Sequence, residues 1–361
     1  MPERDPRLDP QPFLIKLLRQ YAAGSDSLQV VNSDNPLCTL FCLHKKSTKH
    51  DLDKESIKFE IHENARLSKL LSLKGPKLKV QDVIFESQPG LWVNGYFLWP
   101  VLRDNSKNLP CLICIPGHGC VEDIVGVGSQ QSEISESHGY QNEFALRLAQ
   151  RGYPVFAIEQ LGFGKRQFKE NFFDKPMQTS CNKPGKLLLA VNSSLLAFRV
   201  HDVKRAVDFV RTRPEISAAK IGLVGISAGG TTALVSAALD PRVKLTAVSG
   251  ALCSMVDCFA DQEHCLCNYV PGLLQIADIP SIAGRIAPRF LVIEHGKNDS
   301  TNLFAQFKTA KSIVLQAYSK VGAARNLVFD EFNGGHYFNG SEIYKRLAAT
   351  FPQGVEIDST P

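Results

Sequence analysis

The pattern of apolar and polar positions differs between two parts of this chain of 361 residues. From about Lys79 onward, continuous apolar runs of strand length alternate with segments whose apolar residues recur at helical spacing. The runs PCLICIP, KIGLVGI and RFLVIE are apolar on both faces, as are strands buried in a parallel sheet. The pattern therefore predicts an α/β fold, with a mostly parallel, doubly wound sheet and helices on both of its faces.

The first part of the chain lacks this alternation. The segment PQPFLIKLLRQYAAG predicts an amphipathic helix that ends before Gly24, and ENARLSKLLSL predicts a second short helix. We therefore expect residues 1–78 to form a largely helical extension and residues 79–361 to form the main domain. Long segments near 162–192 and 253–288 are expected to be insertions that form a lid or pocket walls.

Charge and composition exclude several classes of protein. The formal net charge is +5, from 41 basic and 36 acidic residues, and no basic stripe interleaved with aromatic residues predicts a nucleic-acid partner. The charged N-terminal stretch MPERDPRLDP is unlike a secretory signal, and no apolar run reaches the roughly 18 residues of a membrane span. A cytoplasmic location with free thiols among the ten cysteines is therefore expected.

One short motif contains a candidate catalytic serine. In GLVGISAGG, Ser227 lies between Gly225 and Gly229, after an apolar run and before a predicted helix. Small residues at these two positions allow a sharp turn from strand to helix that exposes the serine hydroxyl. The amide of Ala228 would then lie at a helix N-terminus, where it can stabilise negative charge.

A serine nucleophile requires a base and an acid that orients the base. Asp299, in HGKNDS, and His336, in NGGHYF, each follow a later predicted strand, so both are expected at the sheet edge that holds Ser227. Asp257 and Asp261 follow an intervening strand and are alternative acids. The setting of Asp299 favours it for the third member of a Ser-His-Asp triad.

With these residues in this order, residues 80–350 resemble the α/β-hydrolase superfamily. The motifs GHG, ISAGG and NYVPGLL, together with IAPRFLVIEHGKND, resemble the dienelactone hydrolase and acetyl xylan esterase branch. Dienelactone hydrolases use a cysteine nucleophile, so Ser227 implies an esterase. The resemblance further implies that the loop PGHGC supplies the Cys120 amide, beside that of Ala228, to an oxyanion hole. Cys120 stands where the family has an aromatic residue, and His118 is expected to hold the loop in shape.

The resemblance implies a serine hydrolase of carboxylic esters with short acyl groups. A small-molecule ester would be the substrate, with no cofactor or metal, and the N-terminal helix offers a possible homodimer surface. Acyl transfer, cyclisation or product release on the same triad are alternatives. A peptidase is another, although the prolyl oligopeptidases carry a propeller that is missing here. A non-catalytic binding module would usually lack a triad member.

Three further segments leave alternatives open. Four cysteines and His264 between Cys253 and Cys267 would suit zinc, but their spacing matches no standard finger, so buried thiols or a pocket wall are favoured. The side chains of Phe168, Phe172 and Phe173 could line a pocket or pack in the core. The polar stretch 129–138 could border the substrate entrance.

Overall fold

A computed structural model describes residues 4–22, 36–41, 57–102, 107–127, 139–169, 179–261 and 263–352. Gly24, Phe172, Phe173 and the stretch 129–138 lie outside the described residues, as does the side chain of Asp261.

The described strands form one sheet of nine, in the order β1-β2-β3-β5-β4-β6-β7-β8-β9. The first three strands and the pair β3 and β5 run antiparallel, whereas β4, β5 and β6 to β9 form parallel pairs. The strands are β1 (Phe59–Glu63), β2 (Leu78–Gln88), β3 (Leu91–Pro100), β4 (Leu109–Ile115), β5 (Val155–Ile158), β6 (Ile216–Ile226), β7 (Val243–Ser249), β8 (Phe290–Gly296) and β9 (Leu327–Phe332).

Helices connect and cover these strands. In chain order, the described α-helices are α1 (Gln11–Ala22), α2 (Pro36–Phe41), α3 (Ala65–Ser72), α4 (Val121–Ile124), α5 (Phe144–Ala149), α6 (Asn182–Leu189), α7 (Leu195–Arg211), α8 (Ala228–Leu239), α9 (Met255–Asp261), α10 (Leu273–Ile276), α11 (Ile279–Gly284), α12 (Phe304–Lys320) and α13 (Ser341–Thr350). None of the described helices is long and apolar enough to cross a membrane.

The two faces of the sheet carry separate hydrophobic cores, which confirms the predicted fold class. Along β4, Ile113 belongs to the core beneath α7, α8, α11 and α12, whereas Leu112 and Cys114 belong to the core beneath α5 and α13. Every residue of β4 is buried. A strand flanked on both faces must be apolar at every position, which explains the continuous runs in the sequence.

The N-terminal part is not wholly helical. β1 pairs with β2, so that Ile61 lies opposite Val83, and α3 lies on β2. Residues 59–63 therefore extend the sheet by an edge strand, although their sequence, FEIHE, contains little of the apolar signal used to predict strands. α1 packs through Leu14 and Leu17, which are buried in a third cluster of apolar residues.

Candidate active site

The candidate nucleophile lies at a strained turn. β6 ends at Ile226, α8 begins at Ala228, and Ser227 between them has φ 53° and ψ −126°. This positive φ is costly for a residue with a side chain and persists only where the surrounding structure enforces it. One such restraint is the hydrogen bond from the Ser227 amide to the carbonyl of Ser249, at 2.9 Å.

The two flanking glycines are required by close backbone contacts. A Cβ atom on Gly225 would lie 2.5 Å from the carbonyl oxygen of Gly229. A Cβ atom on Gly229 would collide with the carbonyl of Ile115 and lie 2.5 Å from that of Pro116. These contacts bring the start of α8 against the end of β4. The turn from β6 to α8 at Ser227, called the elbow below, therefore lies beside the loop Pro116–Cys120.

The candidate acid and base are joined directly. Nδ1 of His336 and Oδ2 of Asp299 lie 2.7 Å apart. The other carboxylate oxygen of Asp299 accepts hydrogen bonds from the amides of Thr301, at 2.8 Å, and Asn302, at 2.9 Å. The carboxylate is therefore held in one orientation, with one oxygen left for the imidazole.

These partners also set the charge of the acid. Burial alone would raise the pKa of Asp299, but the hydrogen bond and charge of His336 and the amides of Asn302 and Thr301 outweigh it and lower this pKa. The ionised carboxylate favours the Nδ1-protonated form of His336, which leaves Nε2 able to accept a proton.

The end of β7 lies between the serine and the histidine. The carbonyl of Ser249 accepts the hydrogen bond from the Ser227 amide. A Cβ atom on the next residue, Gly250, would lie 3.0 Å from both Cε1 and Nδ1 of His336. Gly250, at φ 52°, thus lets the imidazole approach the elbow. Within the described residues, no hydrogen bond joins the Ser227 hydroxyl to His336, and catalytic contacts of this kind often tighten only when substrate binds.

The alternative acid Asp257 lies on α9. Its backbone amide donates to the Ser254 hydroxyl, at 3.4 Å, and its carbonyl accepts a hydrogen bond from the side-chain amide of Gln306. The imidazole of His336 is paired with Asp299 instead.

The loop Pro116–Cys120, which the resemblance implies would supply the Cys120 amide to an oxyanion hole, is held by several hydrogen bonds. The Cys120 amide donates to Oδ2 of Asp123, at 3.1 Å, so it is already occupied by a carboxylate. Elsewhere in the loop, Gly117 donates its amide to Gln141, and the His118 carbonyl accepts the Tyr140 hydroxyl. Ala228, the first residue of α8, lies at the helix N-terminus as expected.

A pocket of about 300 Å³ opens beside the elbow. Ser227 and Ala228 line it, as do Cys253, Met255 and Cys258 from the predicted insertion 253–288. Residues of the segment 253–288 therefore line part of this pocket. Phe168 does not contribute to the wall: it is fully buried and packs in the same apolar cluster as α1.

Two features of the site region were not foreseen. Glu294, on β8, is buried and accepts the amides of Asn339, at 2.8 Å, and Gly340, at 2.7 Å, and thereby anchors the loop that carries His336. His118 and Cys181 meet two cysteines of the insertion, Cys265 and Cys267. Neither arrangement has a signal in linear spacing, because the partners are far apart in sequence.

The fold and this site define the chain as an α/β-hydrolase. Residues 79–319 match the Abhydrolase family, which is two thirds of the chain, and the protein belongs to that family. A relative in Bacillus subtilis (strain 168), YtaP, is assigned by name as a hydrolase and is 30% identical over 167 residues. That match covers 44% of this chain and 52% of YtaP, about half of the relative's length.

Solved structures share the fold at low sequence identity. A Bacteroides fragilis NCTC 9343 protein, assigned by name as an acetyl xylan esterase, is 16% identical with a TM-score of 0.68 and 82% of each chain covered. A glucuronoyl esterase from Solibacter usitatus is 14% identical, with a TM-score of 0.57 over 85% of this chain and 88% of that one. An acetyl xylan esterase from Paenibacillus sp. R4 is 17% identical, with a TM-score of 0.51 over 85% and 96%.

Proposed function

We propose that the protein hydrolyses carboxylic esters through an acyl-enzyme on Ser227. The observation that carries this proposal is the 2.7 Å pairing of His336 with Asp299 beside Gly250, next to a strained serine whose amide is held by Ser249. A buried acid that holds a histidine next to a half-buried serine at a strand-to-helix turn is the arrangement that activates a hydroxyl nucleophile. The esterases among the structural relatives support the same class of reaction.

Acylation would proceed as follows. Nε2 of His336 takes the proton of the Ser227 hydroxyl while Oγ bonds to the ester carbonyl carbon. The imidazolium that forms is stabilised by Asp299, whose low pKa keeps the carboxylate ionised. The tetrahedral intermediate then breaks its bond to the alcohol oxygen, which receives the proton from His336. Water repeats these steps on the acyl-enzyme and releases the acid.

The negative charge of the tetrahedral intermediate requires donors close to the elbow. The Ala228 amide at the start of α8 is the donor that we assign, because it adjoins the nucleophile and lies at the positive end of the helix. One such donor contributes roughly 3 kcal/mol to transition-state stabilisation. For the Cys120 amide to act as the second donor, the oxyanion must displace the carboxylate of Asp123.

The size of the pocket favours a small acyl group. At about 300 Å³, its volume lies at the lower end of ligand sites in proteins. Its apolar wall includes Met255 and Ala251, whereas Asn302 and Thr301 supply polar groups on the side of Asp299. We therefore infer a substrate with a short acyl chain and leave the alcohol unassigned.

Labelling with a fluorophosphonate, read by intact mass, tests the proposed nucleophile. The wild type and Ser312→Ala, which alters an exposed serine on α12, should each gain one adduct. Ser227→Ala should gain none, and His336→Ala should react at least about a hundredfold more slowly because the base is missing. Equal labelling of Ser227→Ala and wild type would refute the assignment of Ser227. A folded wild type that neither reacts nor cleaves an acetate ester would refute the hydrolase proposal.

A further inference from the structure

Four potential metal ligands converge beside the pocket from three separate parts of the chain. His118 belongs to the loop after β4, Cys181 immediately precedes α6, and Cys265 and Cys267 belong to the insertion after β7. One ligand atom from each residue lies within 4.8 Å of the other three. Cys181 and Cys267 are buried, and His118 and Cys265 are half-buried.

The separations suit one tetrahedral ion. Zinc bonds to thiolate sulfur at about 2.3 Å and to imidazole nitrogen at about 2.0 to 2.1 Å. At tetrahedral angles these bond lengths place the ligand atoms about 3.5 to 3.8 Å apart. Nε2 of His118 and Sγ of Cys267 are 3.5 Å apart, and the remaining pairs need to close by about 1 Å at most.

The surroundings of the cluster supply a compensating charge. Arg199, on α7, is 2% exposed, and its guanidinium donates to the carbonyl of Leu161, at 2.8 Å, and to Sγ of Cys181, at 3.5 Å. It also lies over the ring of Phe163, at 4.3 Å. In the described part of the chain, no carboxylate forms an ion pair with Arg199, because the nearby carboxylate of Asp202 pairs with Arg166. A buried cation without a counter-charge is costly.

A bound zinc ion with its ligands would balance the buried positive charge of Arg199. Three thiolates and a neutral imidazole around a divalent ion carry a net charge of minus one, which the guanidinium of Arg199 neutralises. The contact of Arg199 with Cys181 is then a hydrogen bond to a ligand sulfur, a type of outer contact that orients metal ligands. The three cysteines release their protons to solvent on binding, and no electron transfer is involved.

The geometry points to a structural zinc site formed by His118, Cys181, Cys265 and Cys267. Four protein ligands leave no open position, which is typical of structural rather than catalytic zinc. The ion would fasten both pocket insertions to the loop Pro116–Cys120. Because His118 and Cys265 line the same pocket as Ser227 and Ala228, the zinc site would form part of the pocket wall. This site differs from the metal-free expectation from sequence, since Cys181 lies outside the segment considered there.

Metal content tests the proposal independently of activity. The untagged full chain is purified under reducing conditions without chelator, loaded with zinc and dialysed against metal-free buffer, and its metal is measured by plasma mass spectrometry. The wild type and Cys38→Ser, a half-buried cysteine on α2, should each retain about one zinc per chain. Cys265→Ser and Cys267→Ser should retain less than about a tenth of this amount. Zinc at the control level in both variants would overturn the proposal.

A second measurement on the wild type does not depend on whether the variants fold. X-ray absorption of the zinc-loaded chain should show three sulfur neighbours at about 2.3 Å and one nitrogen neighbour at about 2.0 Å. A zinc environment of oxygen and nitrogen alone would overturn the assignment. If the wild type retains no zinc, the proposal is overturned in favour of free thiols. If mass spectrometry finds a disulfide among Cys181, Cys265 and Cys267 in the isolated protein, it is overturned in favour of a redox pair. Fluorophosphonate labelling on the same samples reports separately on Ser227.

Discussion

Asp299 and His336 lie 37 residues apart in sequence, and their side chains meet at 2.7 Å. Each follows one strand of a parallel pair, because Gly296 at the end of β8 lies opposite Phe332 at the end of β9. Two loops that follow neighbouring parallel strands lie next to each other at the same edge of the sheet. The elbow follows β6 and Gly250 follows β7 at this same edge. The sheet thus assembles the candidate triad from three distant segments.

Replacing the acid tests this pairing. Asp299→Asn should keep the hydrogen bonds from Thr301 and Asn302 but lower kcat about a thousandfold to ten-thousandfold, because an amide favours the wrong tautomer of His336. Steady-state hydrolysis of an acetate ester, with circular dichroism to verify folding, measures the effect. The matched control is Asp257→Asn, which should remain within about twofold of wild type. A loss of less than about tenfold for Asp299→Asn would show that another group orients His336.

Glu294 predicts a pH dependence of stability. Burial raises the pKa of Glu294 to about 7, despite hydrogen bonds from Ser249 and two amides. The folded chain then retains a proton that the unfolded chain has lost between about pH 4.5 and 7. The contribution of this group to stability therefore falls as pH rises through this window, by on the order of 3 kcal/mol in total.

Denaturant unfolding of wild type and Glu294→Gln at several pH values measures this term. Glu294→Gln should be less stable at low pH, where it loses an acceptor for the amides of Asn339 and Gly340. Its stability should decline less than that of wild type between about pH 5 and 8. Glu63→Gln, on exposed β1, should follow the wild-type pH curve. Parallel curves for Glu294→Gln and wild type would exclude titration of Glu294 in this range.

Asp123 determines whether the Cys120 amide is available. Asp123→Ala removes the carboxylate that occupies this amide and should raise kcat, by up to about tenfold, if Cys120 donates to the oxyanion. It should also lower the free energy of unfolding by about 1 kcal/mol, because the Cys120 amide at the start of α4 loses its acceptor. Asp123→Asn keeps an acceptor but not the charge, and its kcat should lie between those of wild type and Asp123→Ala. If kcat falls in both folded variants, the carboxylate shapes the loop and Cys120 is not the donor.

The elbow predicts a contrast between two glycines. Gly229→Ala introduces a methyl group against the carbonyls of Ile115 and Pro116, so α8 must move away from β4. We expect an unfolding free energy at least about 3 kcal/mol lower, with little remaining fluorophosphonate labelling. Gly322→Ala, at φ 69° with open space around it, should cost only about 1 kcal/mol. A loss of only about 1 kcal/mol for Gly229→Ala would mean that α8 relaxes around the added methyl group, so that the close contact is not what requires glycine there.

The pocket predicts a limit on acyl length. Hydrolysis of p-nitrophenyl esters should decrease in kcat/KM by at least about tenfold from acetate to hexanoate. Met255→Ala removes a buried side chain from the pocket wall and should reduce this discrimination, since one methylene in an apolar pocket contributes about 1 to 3 kcal/mol. A wild type that prefers hexanoate would contradict both the short-acyl assignment and the role of Met255.

The sequence predicted those features that depend on neighbouring residues. Apolar runs at β4, β6 and β8 predicted buried parallel strands, because a strand covered on both faces has no polar position. The glycines around Ser227 predicted the elbow, because the collision that excludes a side chain there is local to the turn. β1 escaped detection since its residues, such as Glu60 and His62, are exposed at a sheet edge and need not be apolar.

Only the tertiary structure decided which distant groups meet. The sequence favoured Asp299 over Asp257 only on the setting of its motif, whereas strand order brings the Asp299 side chain to His336. The occupation of the Cys120 amide by Asp123 depends on the conformation of one loop, and the convergence of Cys181 with His118 depends on how an insertion folds over the sheet. Residue type and spacing along the chain limit what chemistry is possible here. The packing of distant segments determines where that chemistry is located, because the distance between two residues in sequence does not determine their distance in space.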